Sequence, residues 1–284
     1  MTLTSSAVDG IRRLVLANDK NTLSSLRFET ASLSGVIELI STEVAFVGSN
    51  QAALFNLPSF GAATLPLQSA RTLWQNHGSF PLNAGIHGTY NYEFSSIRKK
   101  SDITGPDFQL FQERFVRASI SAGHSSQFAH ALAGVLGEMC DNVVEHSELK
   151  GDIFSSLVGY AVTTDFTSFA VSDLGIGILA SLQTAAKWQH LSTAGEALKA
   201  AVLQGATSRR GHNEGGGFKV LLKNLVNRDS SLRFRSDDMV LVMGETDNSS
   251  EAHIMRSPHL RGFQVGMVCG THGRPVEFPL KIST

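Results

Sequence analysis

Cysteine is scarce in this chain: two in 284 residues, Cys140 and Cys269, far apart and with no CxxC partner. That spacing offers neither a disulfide framework nor a zinc set, and a reducing compartment is expected. An excess of charge of one sign is also missing. The 24 basic and 25 acidic residues leave a formal net charge of −1, so no global field draws the protein to nucleic acid or an anionic lipid surface. Long apolar runs are absent, and nothing approaches the roughly 18–20 residues of a transmembrane helix. The start, Met1-Thr2-Leu3-Thr4-Ser5-Ser6, lacks the basic segment and apolar run of a signal peptide. We therefore expect a cytoplasmic protein with no membrane and no nucleic-acid partner. No internal repeat or low-complexity tract is present.

What is there is enough apolar material for a real core. Hydrophobic residues make up 42% of the chain, which suits one large domain or two ordinary ones. Residues 7–16 read as a short helix. Residues 36–40 and 44–47 read as short β-prone runs. Residues 77–106 are rich in Gly, Ser, Asn and Tyr, and read as a connector or exposed loop set. The pattern sharpens after that. Residues 108–119 read as a helix, and Ser125 and Ser126 can cap a second one that runs to about His146. Residues 154–162 and 169–172 read as strands, the second ending in Asp173. Residues 193–204 look helical and stop at Gly205. A Gly-rich loop over 211–217 opens directly into a helix over 218–226. Residues 231–235, 239–243 and 263–268 read as late β-runs.

Three stretches carry chemistry. The first is Glu138-Met139-Cys140-Asp141-Asn142-Val143-Val144-Glu145-His146. Glu138, Asn142 and His146 recur every fourth residue and share a helix face. Leu132, Leu136, Met139 and Val143 form an apolar stripe on a neighbouring face. Mg²⁺ wants oxygen ligands and usually takes only one or two from protein, so one Asn amide oxygen beside a phosphate pocket suits it. A carboxylate one turn away can orient or deprotonate an attacking hydroxyl. Alone, the same face is an ordinary polar helix surface.

The second stretch is Asp173-Leu174-Gly175-Ile176-Gly177. A carboxylate at a strand end can accept the exocyclic amine of adenine, and glycines let backbone pass close to the base. Alone it reads equally as a turn with a capping Asp. The third is Gly211-His212-Asn213-Glu214-Gly215-Gly216-Gly217-Phe218-Lys219. Glycine-rich backbone entering a helix presents N–H groups to phosphate oxygens. It is neither a Walker loop nor a Rossmann fingerprint. Lys219, in the first turn of the helix, is better placed to neutralise phosphate than Arg209 and Arg210.

In this order and spacing, residues from about 107 to 280 resemble the GHKL superfamily, which includes gyrase B subunits, ninety-kilodalton heat-shock chaperones, histidine kinases and MutL. Glu138 to Asn142 looks like its N box, Asp173 to Gly177 like its G1 box and Gly211 to Gly217 like its G2 box. The resemblance implies a Bergerat-type α/β (α+β) sandwich: a mixed sheet with helices on one face, here preceded by a smaller N-terminal α/β region. It implies a lid over about residues 179–214. It assigns Asn142 to Mg²⁺ and Asp173 to adenine. Gly175, Gly177, Gly211, Gly215, Gly216, Gly217 and Lys219 would line the nucleotide, and Glu138 would be the catalytic base. Small bacterial ATP-binding proteins related to anti-sigma-factor serine kinases are the nearest in pattern, through Asn142-Val143-Val144-Glu145-His146-Ser147, the run before the third box, and Leu260-Arg261-Gly262-Phe263-Gln264-Val265. Two departures stand out. Phe263 follows Gly262 where the family often has Thr, and Lys219 replaces the last glycine of the third box.

The resulting expectation has two domains, residues 1–105 for partner or signal recognition and residues 106–284 for binding Mg²⁺ with ATP or ADP. The function is phosphoryl transfer to a Ser or Thr of a partner protein in bacterial signalling, or an ATPase cycle. The alternative is a nucleotide-gated interaction module with little turnover. A protein partner is expected, and a homodimer is compatible with the pattern. None of the ten histidines has the context of a histidine-kinase phosphoacceptor.

Overall fold

The computed structural model describes residues 1–46, 49–60, 67–68, 70–71, 91–146, 156–206, 230–244 and 252–271. The chain opens with a short strand, β1 (Thr2–Leu3), and a helix, α1 (Ser5–Leu16). The Thr4 side chain accepts from the Ala7 amide at 3.2 Å and caps α1. This satisfies one of the free N–H groups of the first turn. Val8, Ile11 and Val15 form the buried stripe of α1, as its helical period predicts. Helix α2 (Lys20–Ser25) and strand β2 (Thr30–Ala31) follow, with β1 and β2 pairing in parallel.

The expected β-run at 36–40 and the described part of the one at 44–47, residues 44–46, are not strands. Val36 to Ile40 lie inside a helix, α3 (Leu33–Ala45), whose last two residues are Val44 and Ala45. Ser32 caps it by accepting from the Gly35 amide at 3.0 Å. Leu33, Val36, Ile37, Leu39 and Ile40 are all at most 3% exposed, so this helix is apolar nearly all round and buried on most sides. β-branching costs a helix only a few tenths of a kcal/mol per residue. Each buried aliphatic side chain contributes about 1.5–3 kcal/mol, and packing overrides local preference.

The central sheet has five strands: β3 (Asn91–Ser96), β4 (Ser156–Val162), β5 (Phe166–Asp173), β6 (Ser230–Met243) and β7 (His253–Gly270). Their order is β3-β4-β5-β7-β6, and every pairing is antiparallel. The architecture is α+β, and among the described residues this sheet is antiparallel throughout, where a mixed one was expected. Two late β-runs, 231–235 and 239–243, are one strand broken by register shifts at Ser236–Asp237 and Asp237–Met239. The connector reading of 77–106 is corrected where the chain is described, because residues 91–96 form edge strand β3, while residues 77–90 lie outside the described residues. The Gly, Ser and Asn of the surrounding stretch mask the alternation of Tyr92 and Phe94 with Glu93. Glu93 is buried, held by Arg114 through Nε at 2.9 Å and Nη2 at 2.5 Å, and receives the Tyr160 hydroxyl at 2.9 Å. Burial, then the Glu93 carboxylate, pushes the Tyr160 phenol up, so it stays a neutral donor.

Helices α4 (Lys100–Thr104), α5 (Pro106–Ser121) and α6 (Ser126–His146) follow β3. Ser125 caps α6 by accepting from the Phe128 amide at 3.3 Å. Strand alternation divides the sheet's two faces. Val158, Tyr160, Val162, Phe169, Val171, Val265 and Met267 pack with Phe111, Phe115 and the α6 stripe of Leu132, Leu136, Met139 and Val143. Cys140 and Cys269 belong to this core. On the other face, Tyr92, Phe94, Leu157, Ala161 and Ala170 pack with α1 and α3. Helices therefore cover both faces, where one was expected, because β4 and β5 carry apolar residues on both sides. After β5 come α7 (Gly177–Gln183), a short 3₁₀ turn (Ala186–Trp188) and α8 (Ala194–Gln204). A box between Thr193 and Glu196 caps α8. Among the described residues no helix is long and apolar enough to cross a membrane.

Candidate functional site

The site is built where β5 ends. Asp173 is the last residue of β5 and lies opposite Phe263 of β7. Alternation places it on the face of Phe169 and Val171, the face that α6 covers. It is 6% exposed. The Gly175 amide donates to its Oδ1 at 2.6 Å, which turns the chain sharply out of the strand. Burial raises the Asp173 pKa to about 7, against the opposing pull of the Gly175 and Phe263 amides and the Arg261 charge. A carboxyl that titrates near neutrality at a strand end is a group held ready for a polar partner.

The turn is clasped by β6 and β7. Across from the register shift, Arg261 and Gly262 bulge out of β7 between the pairs Asp237–Leu260 and Ser236–Phe263. Arg261 Nε donates to the Gly175 carbonyl at 3.0 Å. The Ser236 hydroxyl donates to the Gly262 carbonyl at 3.1 Å and accepts from the Ile178 amide at 3.0 Å. Gly177, at φ +77°, would place a Cβ 2.9 Å from Ser236 Oγ. Beside it, burial raises the pKa of Asp237, with His259 Nε2 at 3.7 Å opposing the shift.

Gly262 is the tightest point. Its φ is +90°, and an added Cβ would lie 2.1 Å from the Asp173 carbonyl oxygen. Gly262→Ala therefore meets both a left-handed backbone and a backbone wall. We expect a loss of at least about 2 kcal/mol in urea unfolding. A change under about 0.5 kcal/mol would show that the bulge does not press on β5.

Of the residues singled out in the sequence, Asp173, Gly175 and Gly177 share this one turn. Glu138 and Asn142 stand on α6, which packs against β5. Glu138 is exposed and Asn142 half-buried, while Met139 and Val143 beside them are in the core. Between them, Asp141 pairs with Lys100 at 2.5 Å. The side chain of His146 and the whole of the third box, Gly211, Gly215, Gly216, Gly217 and Lys219, lie outside the described residues. So does the helix expected at 218–226.

No protein-family model matches the chain, and no similar curated protein is found. The site has to be read from its own chemistry.

Sequence reasoning missed Ser236, Asp237 and the contact made by Arg261. Local pattern holds one usable sign, the interruption between the apolar runs of β6. That break marks a strand irregularity, and such bulges gather beside functional sites. Among the described residues no group of three or more His, Cys, Asp or Glu is arranged to hold a metal. A cage made wholly of such side chains is therefore not described here, whereas a single amide oxygen such as that of Asn142 suits an ion that takes its other ligands from phosphate and water.

Proposed function

We propose that this protein binds Mg²⁺ with ATP or ADP and is a GHKL-type phosphotransferase or ATPase with a Bergerat-type arrangement. One observation carries the reading. Asp173 is a buried carboxyl with a pKa raised to about 7, at the end of a strand and on the face covered by the helix that bears Glu138 and Asn142. As a carboxylate, Asp173 accepts the adenine amine. Gly175 and Gly177 keep the turn narrow, and Arg261 and Ser236 hold its shape. Asn142 would offer its amide oxygen to Mg²⁺, which neutralises phosphate charge when bound. Glu138 is the proton acceptor for the attacking hydroxyl or water. Gly211, Gly215, Gly216, Gly217 and Lys219 are assigned to phosphate by sequence. The phosphoryl acceptor is a Ser or Thr of a protein partner, and a cytoplasmic signalling role follows from that chemistry.

The test is direct. Purified protein is incubated with γ-labelled ATP and Mg²⁺, alone and with candidate partner proteins. Label on a partner Ser or Thr supports the kinase form, and released phosphate the ATPase form. Binding without either leaves a nucleotide-gated interaction module. No binding of ATP or ADP at millimolar concentration sinks the proposal.

A second measurement concerns the lid expected over residues 179–214, of which residues 207–214 lie outside the described residues. Leu182, Leu191, Ala197, Ala200 and Ala201 form a small core of their own there. Leu198 and Val202 anchor α8 in the main core. Phosphate contacts order segments of this kind. A non-hydrolysable ATP analogue should slow amide exchange in α7 and the 3₁₀ turn most, and in α8 least. Equal exchange with and without the analogue would remove the lid from the proposal.

A further inference from the structure

A cluster of buried charge joins the N-terminal helices to the back of β6 and β7. Asp9 of α1 accepts from Arg233 Nη2 at 2.6 Å and from Arg235 Nη1, and Glu38 of α3 accepts from Arg233 Nε at 3.3 Å. Arg12 of α1 is 0% exposed and Arg235 is 1% exposed. Among the described residues the cluster thus holds one guanidinium more than it has carboxylates, and Arg12 is its most buried cation. Its nearest carboxylate oxygen, on Asp9, is 3.4 Å away. Burial and the neighbouring Arg235 charge push its pKa down to about 9. A buried charge is costly and is poor evidence of a stabilising role.

The contacts of Arg12 show what it holds. Its Nη2 donates to the Pro258 carbonyl at 2.5 Å and also to the His259 carbonyl. Arg235 donates to the same Pro258 carbonyl. These carbonyls lie in the irregular part of β7, where the register with β6 shifts and Pro258 supplies no N–H. Two residues further on begins the Arg261–Gly262 bulge, with Gly262 against Asp173 and Arg261 on the Gly175 carbonyl. Arg12 therefore grips one end of a short stretch of backbone whose other end forms the wall of the Asp173 turn.

We infer that Arg12, on the opposite face of the sheet, is a positioning residue of the Asp173 site: it fixes the β7 bulge that holds the turn, and so ties the N-terminal helices to the pocket. Any movement of α1 against the sheet is transmitted along residues 258–262 to the Gly175 carbonyl. The functional consequence rests on the nucleotide reading above, but the positioning itself does not.

Arg12→Met removes the buried charge, and Arg12→Lys keeps the charge without the planar fork that reaches two carbonyls. In each variant, amide exchange is followed at Gly175, whose N–H is held by Asp173, and at Gly159 in β4 as a reference, with ATP affinity measured in parallel. Exchange at Gly175 should quicken several-fold relative to Gly159, and ATP affinity should fall about tenfold. A role in stability alone would move both amides together and leave affinity unchanged, and that result overturns the inference. If Arg12→Met does not fold, Arg12→Lys decides by the same comparison. If the unmodified protein binds no ATP, the nucleotide reading fails, and the Gly175-to-Gly159 ratio still decides the positioning.

Discussion

Asp173→Asn should make the protein more stable at pH 8 while weakening its hold on adenine nucleotides. The folded-state pKa of Asp173 is raised from 3.8 to about 7, chiefly by burial. The folded protein thus binds this proton more tightly than the unfolded chain. That contribution to stability is full below about pH 4 and is lost as pH rises to about 7. Three pKa units correspond to about 4 kcal/mol as an upper scale. Asn does not ionise, and its oxygen can still accept from the Gly175 amide. Urea unfolding at pH 4.5 and pH 8 should therefore show the variant gaining several kcal/mol on the wild type between the two. A constant difference would mean that Asp173 is not buried as described. Against this gain, calorimetry should show ATP or ADP affinity weakened by about 1–3 kcal/mol, the cost of a disrupted buried polar contact. Wild-type affinity should also fall below pH 7, where the protonated carboxyl keeps an acceptor oxygen but loses the charge that strengthens its bond to the amine. Unchanged affinity in the variant would rule out Asp173 as the adenine contact.

Glu138→Gln should bind ATP nearly as the wild type does and turn it over about 10²–10⁴ times more slowly, the usual loss on removing a general base. Glu138 is exposed on α6, so its replacement should leave the fold intact. Asn142, one turn on, should behave oppositely. Asn142→Ala or Asn142→Asp should lose Mg²⁺-dependent binding, read as the difference in affinity with and without the metal. Equal turnover in Glu138→Gln and wild type would take the base role from Glu138. Absence of turnover in the wild type with every partner tried would favour the nucleotide-gated interaction module.

Parts of the architecture were legible because short-range chemistry specifies them. Ser125 announces a helix start and caps the helix that follows it, and the helix read from Thr193 is capped by that residue. The α6 stripe recurs at helical spacing and is buried as its period requires. Asp173 reads as the end of a strand because Gly175 and Gly177 follow an apolar run. Other readings failed where tertiary contacts overrule local preference. Helix α3 looks like strand because Val36, Ile37 and Ile40 are β-branched, and it is helix because it lies buried between α1 and the sheet. Strand β3 looks like loop because it lies in a stretch rich in Gly, Ser and Asn, and it is strand because it pairs with β4 and Arg114 and Tyr160 donate to its buried Glu93.

The sequence by itself determined the helices with clear caps and stripes, the polar face carrying Glu138 and Asn142, and the Asp173 turn. Each depends on residues within a turn or two of one another. Only the tertiary structure decided that helices cover both faces of an antiparallel sheet, and that Ser236, Arg261 and Gly262 clasp the turn. It alone placed Arg12 beneath the same bulge, 246 residues from Pro258 in the chain and 2.5 Å from its carbonyl oxygen. The reason is physical. A residue's own neighbours set its backbone preference, but which backbone groups remain to be satisfied, and which charges must be buried to satisfy them, is settled only when distant segments pack.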